Sequence, residues 1–105
     1  MKISIINTTT DSDKTARQIA ECLIKNKLSP CVQIVPQIES IYQWQRQLKY
    51  SNEFLLIIKT LPQHVHECQV RILKLHNYDI PEIIVTQGEI LHDEYSEWFL
   101  NAATQ

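Results

Sequence analysis

The stretch "LHNYDIPEIIV", residues 75–85, places an imidazole, a phenol and two carboxylates within seven positions: His76, Tyr78, Asp79 and Glu82. A neutral imidazole can ligate a divalent cation through either ring nitrogen or move a proton near neutral pH. The competing reading of His76 is a helix C-terminal residue whose donors suit the last exposed carbonyls. A lone histidine is not a metal site, because such a site takes three or four ligands of matched softness. Glu82 follows Pro81 at the head of an apolar run, where a carboxylate is either paired or functional. Lys59, which ends "LLIIKT", is its expected partner, as a structural ion pair or as the anion-binding end of a pocket. Tyr42, Trp44 and Tyr78 are aromatics that could wall a ligand cleft or pack an interface.

The elements that must position these groups follow from periodicity. "KISIIN", 2–7, reads as a strand, and "TTTDSD" offers N-caps to a helix running to about Lys27. Ala16, Ile19, Ala20, Leu23 and Ile24 give that helix one buried face. From Cys31 to Trp44 the pattern has period two, with Val32, Ile34, Ile38, Ser40, Tyr42 and Trp44 on one parity, and Pro36 demands a bend or bulge. "QRQLKYSN" reads as the far end of a hairpin, and "EFLLIIKT", 53–60, as a buried strand. Pro62 opens a second helix with the stripe Leu61, Val65, Cys68, Ile72 and Leu75. Asn77 and Pro81 end the helical pattern. "EIIVT", 82–86, is another buried strand, Gly88 turns the chain, and Asp93 and Glu94 begin a last helix with Leu91, Tyr95, Trp98 and Phe99 on one side. The order β-α-β-β-α-β plus a C-terminal helix predicts an α+β, ferredoxin-like sandwich with an extended second hairpin, as one domain over 1–105.

Composition narrows the partners. A net charge of −2, with lysines and arginines scattered singly or in pairs, gives no nucleic-acid footprint. No apolar segment reaches the roughly 18 residues that span a bilayer, and the N-terminus turns polar too early for a signal peptide. A cytoplasmic protein is expected. Cys22, Cys31 and Cys68 are dispersed and odd in number, as buried thiols are, not a disulfide framework. The single glycine, Gly88, leaves no phosphate-cradling loop, and no nucleophile or zinc signature points to an enzyme.

Length raises a further point. A strand of 14 residues, 31–44, extends about 45 Å, whereas a compact domain of this size is only about 35 Å across, with a radius of gyration of about 13 Å. A hairpin carrying Ile38, Ile41, Tyr42 and Trp44 beyond its own domain leaves apolar surface and open edges that identical subunits can cover. A homo-oligomer is expected on that ground.

"CVQIVPQIESIYQWQ", "LLIIKT", "LHNYDIPEIIV" and "EYSEWF", in this order and spacing, resemble the CutA family of divalent-cation tolerance proteins, over nearly the whole chain. The resemblance implies a ferredoxin-like fold, an interlocked homotrimer sharing long hairpins, and tolerance of copper and other divalent metals, with no established reaction and no obligatory cofactor. It directs a metal reading to His76, Cys31 and Glu82, gathered between subunits, and a ligand cleft to Lys59, Tyr78, Tyr42 and Trp44. The alternative is a trimeric regulator binding a small anionic ligand or a protein partner there, with metals incidental. The chain departs from the family at the hairpin, where "YWWEG" or "YYWEG" is replaced by Tyr42-Gln43-Trp44-Gln45-Arg46, and where "HPY" becomes His76-Asn77-Tyr78. Asn7 and Leu75 stand where some members carry a cysteine and a second histidine associated with copper.

Overall fold

The computed structural model describes residues 1–104. Strand β1 (Lys2–Thr10) leads to helix α1 (Asp13–Lys25), the hairpin of β2 (Cys31–Trp44) and β3 (Gln47–Thr60), helix α2 (Val65–Leu75), strand β4 (Ile83–Glu89) and helix α3 (Asp93–Thr104). The strands form one antiparallel sheet in the order β2-β3-β1-β4, the ferredoxin-like arrangement.

β1 runs three residues beyond the apolar pattern, because Thr8, Thr9 and Thr10 pair with Leu56, Leu55 and Phe54. β-branched threonines suit a strand, which leaves Asp11 and Ser12 ahead of α1; Ser12 is the cap, its Oγ accepting from the Thr15 N–H at 3.1 Å. α1 stops at Lys25, not Lys27, because Lys27 takes a left-handed conformation (φ 61°). The Leu28 N–H then closes on the Leu23 carbonyl at 2.9 Å. Pro62 begins a short 3-10 turn that passes into α2. Ala16, Ile19 and Leu23 of α1 and Cys68 and Ile72 of α2 pack on Ile6, Leu56 and Ile58, all fully or almost fully buried. β1 residues of the opposite parity, Ile3 and Ile5, meet Phe99, Ala103 and Tyr95 of α3, together with Leu61.

The hairpin differs most from the sequence reading. Pro36 and Gln37 stand opposite Phe54 alone, a bulge in which Gln37 has φ 58°. The bulge moves β2 by one residue, so its even positions change face. Val32 and Ile34 pair with Ile58 and Leu56 on the face covered by α1 and α2, whereas Ile38, Ser40 and Tyr42 pair with Glu53, Ser51 and Lys49 on the opposite face. One apolar stripe in the sequence therefore serves two surfaces. β3 starts at Gln47, not Glu53, because the turn is only Gln45-Arg46, both at positive φ (51° and 65°). That is the type I′ geometry whose twist matches a two-residue hairpin. Two other expectations fail. Gly88 does not turn the chain; it lies inside β4, opposite Ile3, where a Cβ would come within 3.0 Å of the Ile5 Cδ1. Nor is β4 buried, since it forms a sheet edge with Ile84 52% and Val85 45% exposed.

Candidate functional site

α2 ends where His76 turns to extended backbone (φ −66°, ψ 141°) while its N–H still reaches the Ile72 carbonyl at 2.9 Å. The segment 76–82 then crosses the end of β1. His76 Nε2 lies 2.9 Å from the Thr9 carbonyl, and Nδ1 accepts the Tyr78 backbone N–H at 3.0 Å. A carbonyl only accepts, so the proton sits on Nε2 and both nitrogens are in use. Burial lowers the His76 pKa, against opposing effects from the Thr9 carbonyl and from Asp11 and Glu53. In this chain the ring can ligate a metal only by giving up one of these bonds.

Asn77 fastens the same crossing. Its Oδ1 accepts from Thr10 Oγ1 at 2.6 Å and its Nδ2 donates to Asp11 Oδ1 at 2.8 Å. These bonds tie the turn to the end of β1. Tyr78, stacked near His76 with ring centroids 5.0 Å apart, donates its hydroxyl to Glu53 Oε2 at 2.5 Å. Glu53 is only 6% exposed, and a buried carboxylate needs such a donor. Burial, then the hydrogen bond and charge of Glu53, push the Tyr78 phenol far up, so it stays a donor at neutral pH.

Between this segment and the hairpin lies a cleft of about 950 Å³. The hairpin side presents Ser40, Tyr42, Trp44, Lys49, Ser51 and Glu53; the other presents Asn77, Tyr78, Asp79, Ile80 and Glu82, with Thr9 and Asp11 at the end of β1. The Tyr42 and Ser51 hydroxyls bond across the hairpin at 2.8 Å. Four carboxylates, Asp11, Glu53, Asp79 and Glu82, face one cation, Lys49. A low-dielectric cleft lined by one sign of charge concentrates ions of the other.

Tyr42, Trp44, Tyr78 and Glu82 thus line one cleft, with His76 directly behind Tyr78. Lys59 and Cys31 do not join them. They pair with each other at the other end of the hairpin, six residues along β3 from Glu53, a strand distance of about 20 Å. The predicted Lys59–Glu82 ion pair is not formed; the ion pairs among the described residues are Arg17–Asp13, Lys25–Glu21 and Arg71–Glu67, all within helices. Cys31 lies against Tyr95 of α3, whose phenol is raised by burial and then by that thiol. No three metal-ligating side chains converge among the described residues. The residues missed from sequence are Asp11, Glu53 and Asn77. Glu53 had a signal, a carboxylate directly ahead of the apolar run 54–58.

The sequence matches the family model described as CutA1 divalent ion tolerance protein over residues 4–102. The divalent-cation tolerance protein CutA of Thermus thermophilus is 35% identical over 90% of this chain and 91% of its own length. The chloroplastic protein CutA of Arabidopsis thaliana is 34% identical over 93% of this chain, which spans 54% of that relative. The crystal structure of divalent ion tolerance protein CutA1 from Ehrlichia chaffeensis superposes with a TM-score of 0.91 at 30% identity, covering 98% of this chain and 96% of the other.

Proposed function

The chain belongs to the CutA1 divalent ion tolerance family, and from that premise we propose a homotrimeric, cytoplasmic protein that takes up divalent cations weakly in its acidic cleft, as a binding protein and not a catalyst. The observation that carries the cation reading is the charge balance of the cleft, four carboxylates against Lys49. The family name gives divalent ion tolerance; the cleft supplies a field of the matching sign.

Among the described residues no preformed copper site is offered. The one histidine in this region is committed at both nitrogens, and Cys31 lies at the far end of the hairpin. The reading is therefore attraction by carboxylates, with any further ligands supplied by neighbouring copies. Copper(II) is the ion to test first, because it heads the affinity order for nitrogen and oxygen donors. The anionic-ligand reading has less support, since Lys59, its proposed anchor, lies outside the cleft.

Assembly is supported by shape and surface. The molecule measures 47 × 25 × 22 Å with a radius of gyration of 14.5 Å, against about 13 Å for a compact domain of this length. Every residue from 41 to 50 is exposed, and both edge strands, β2 and β4, have an open side. No helix among the described residues is long and apolar enough to cross a membrane.

Calorimetric titration with copper and with zinc tests the cation reading. Asp79→Asn with Glu82→Gln removes two exposed carboxylates from the cleft and is expected to lower affinity about tenfold. Unchanged affinity in the double variant would dismiss the cleft as the uptake site.

A further inference from the structure

The cleft is far larger than a metal ion needs. Its volume of about 950 Å³ falls in the range of small-molecule pockets, about 300–1,000 Å³. One water takes about 30 Å³, so a cation with its inner hydration shell fills a minor part of it. The carboxylates are also spread out. Asp11 lies just past β1, Glu53 belongs to β3, and Asp79 and Glu82 belong to the crossing segment. Among the described residues no three such ligands are grouped as a metal requires. Between the charges the walls are aromatic and apolar. Tyr42 and Trp44, both exposed, stand two residues apart on one face of β2, and Tyr78 and Ile80 line the opposite wall. An aromatic face attracts an ammonium group and packs against methylenes.

Glu53 gives an independent sign of a missing donor. The residue is more than nine-tenths buried, and the Tyr78 hydroxyl occupies its Oε2. Its Oε1 meets no donor among the described residues. Yet it is not one of the side-chain atoms shut away without a partner, which are Asn7 Oδ1, Thr8 Oγ1 and His64 Nδ1. Oε1 therefore opens into the cleft that Glu53 lines. A carboxylate oxygen in so buried a residue calls for a donor from outside the chain.

We propose that the cleft binds a linear organic polyamine. One ammonium donates to Glu53 Oε1, the others lie against the exposed carboxylates Asp79 and Glu82, and the methylene stem runs along Tyr42, Trp44 and Tyr78. Four carboxylates against the one cation Lys49 leave three negative charges uncompensated, which a triamine such as spermidine neutralises. The polyamine site rests on the acidic field of the cation-uptake reading and goes beyond it in the shape and class of the ligand.

Calorimetric titration of the full chain, freed of metal by a chelator, tests this with two trications of different shape, spermidine and hexaamminecobalt(III). The field attracts both, but separated carboxylates and aromatic walls favour the extended one. Spermidine should bind about tenfold more tightly than the compact complex. Trp44→Ala should lower the spermidine affinity about tenfold and the hexaamminecobalt affinity far less. Equal affinity for the two trications, no spermidine binding up to millimolar concentration, or an unchanged spermidine affinity in Trp44→Ala would each overturn the inference. Should Trp44→Ala disturb folding, the two trications compared on the wild type decide it alone. The copper titration described above keeps the readings apart. Copper binding without spermidine binding overturns the polyamine site and leaves metal uptake standing; spermidine binding without copper binding supports the polyamine site and removes metal uptake.

Discussion

Glu53 is the residue on which the cleft depends structurally. Glu53 is almost fully buried within the hairpin strand β3, and the Tyr78 hydroxyl is the donor that meets its carboxylate. A buried charge that loses a donor costs more than the bond was worth in water. Tyr78→Phe should therefore lower unfolding stability by about 1–3 kcal/mol, read from urea denaturation at fixed protein concentration. The same substitution in a Glu53→Gln background should cost clearly less, because the partner charge is gone. Equal costs in both backgrounds would mean that the phenol contributes packing only. Much of this site is legible in the chain. Tyr42, Trp44, Tyr78 and Glu82 stand out by type and position, and all four line one cleft. Lys59 and Cys31, expected beside them, lie elsewhere because nearness within a sheet depends on register. Lys59 faces Cys31 and Ile5, not Glu82, and no local pattern encodes that pairing. Glu53 is easily overlooked among apolar neighbours, although burial is what gives its charge a role.

The hairpin shows how a local irregularity redistributes a pattern. Pro36 announces a bulge, and the bulge is there. Its consequence cannot be counted from sequence, because whether one residue or two oppose Phe54 decides which face Ile38, Tyr42 and Trp44 take. A strict alternation carried through the proline keeps Val32 and Tyr42 together; the structure separates them. The helices are easier to read, since the stripe Val65, Cys68, Ile72 and Leu75 repeats one local geometry without depending on a distant strand. The hairpin tip carries a local cost. Gln45 and Arg46 both occupy left-handed backbone, where a side chain bears a penalty of about 1–2 kcal/mol per residue. Glycine bears none, though it loses more entropy on folding. Arg46→Gly should thus stabilise the protein by about 1 kcal/mol, seen as a higher urea midpoint with an unchanged slope. A lower midpoint would show that Arg46 makes contacts, within the chain or with another copy, that outweigh its backbone strain.

The whole chain is longer than its core requires, and the excess is the arm. Ile41 is 57% exposed, Leu48 65% and Tyr50 61%, side by side on the part of the hairpin beyond the bulge. Ile41 and Tyr50 are directly opposite each other in the register, and Gln43 and Leu48 continue the same face. Apolar side chains arranged in that way on an open sheet invite association. The arithmetic of strand length against domain width points to the same surface from sequence alone. It does not say how many copies meet, because that number is set by the angle between interfaces and not by their composition. The separate roles of arm and core make a clean comparison possible. In an isolated chain Ile41 touches little, so Ile41→Asp should leave the monomer's fold intact. In the proposed trimer it places a charge in a desolvated contact between copies, where an uncompensated charge is strongly destabilising. Sedimentation velocity should then give a three-chain mass for the wild type and a shift towards single chains for Ile41→Asp. Leu91→Asp is the control, since Leu91 is 87% exposed and lies between β4 and α3, away from the arm. It should sediment as the wild type does. A wild type that sediments as one chain would refute the trimer. A trimer indifferent to Ile41→Asp would place its contacts elsewhere, on the open edge of β4 or the uncovered part of the sheet.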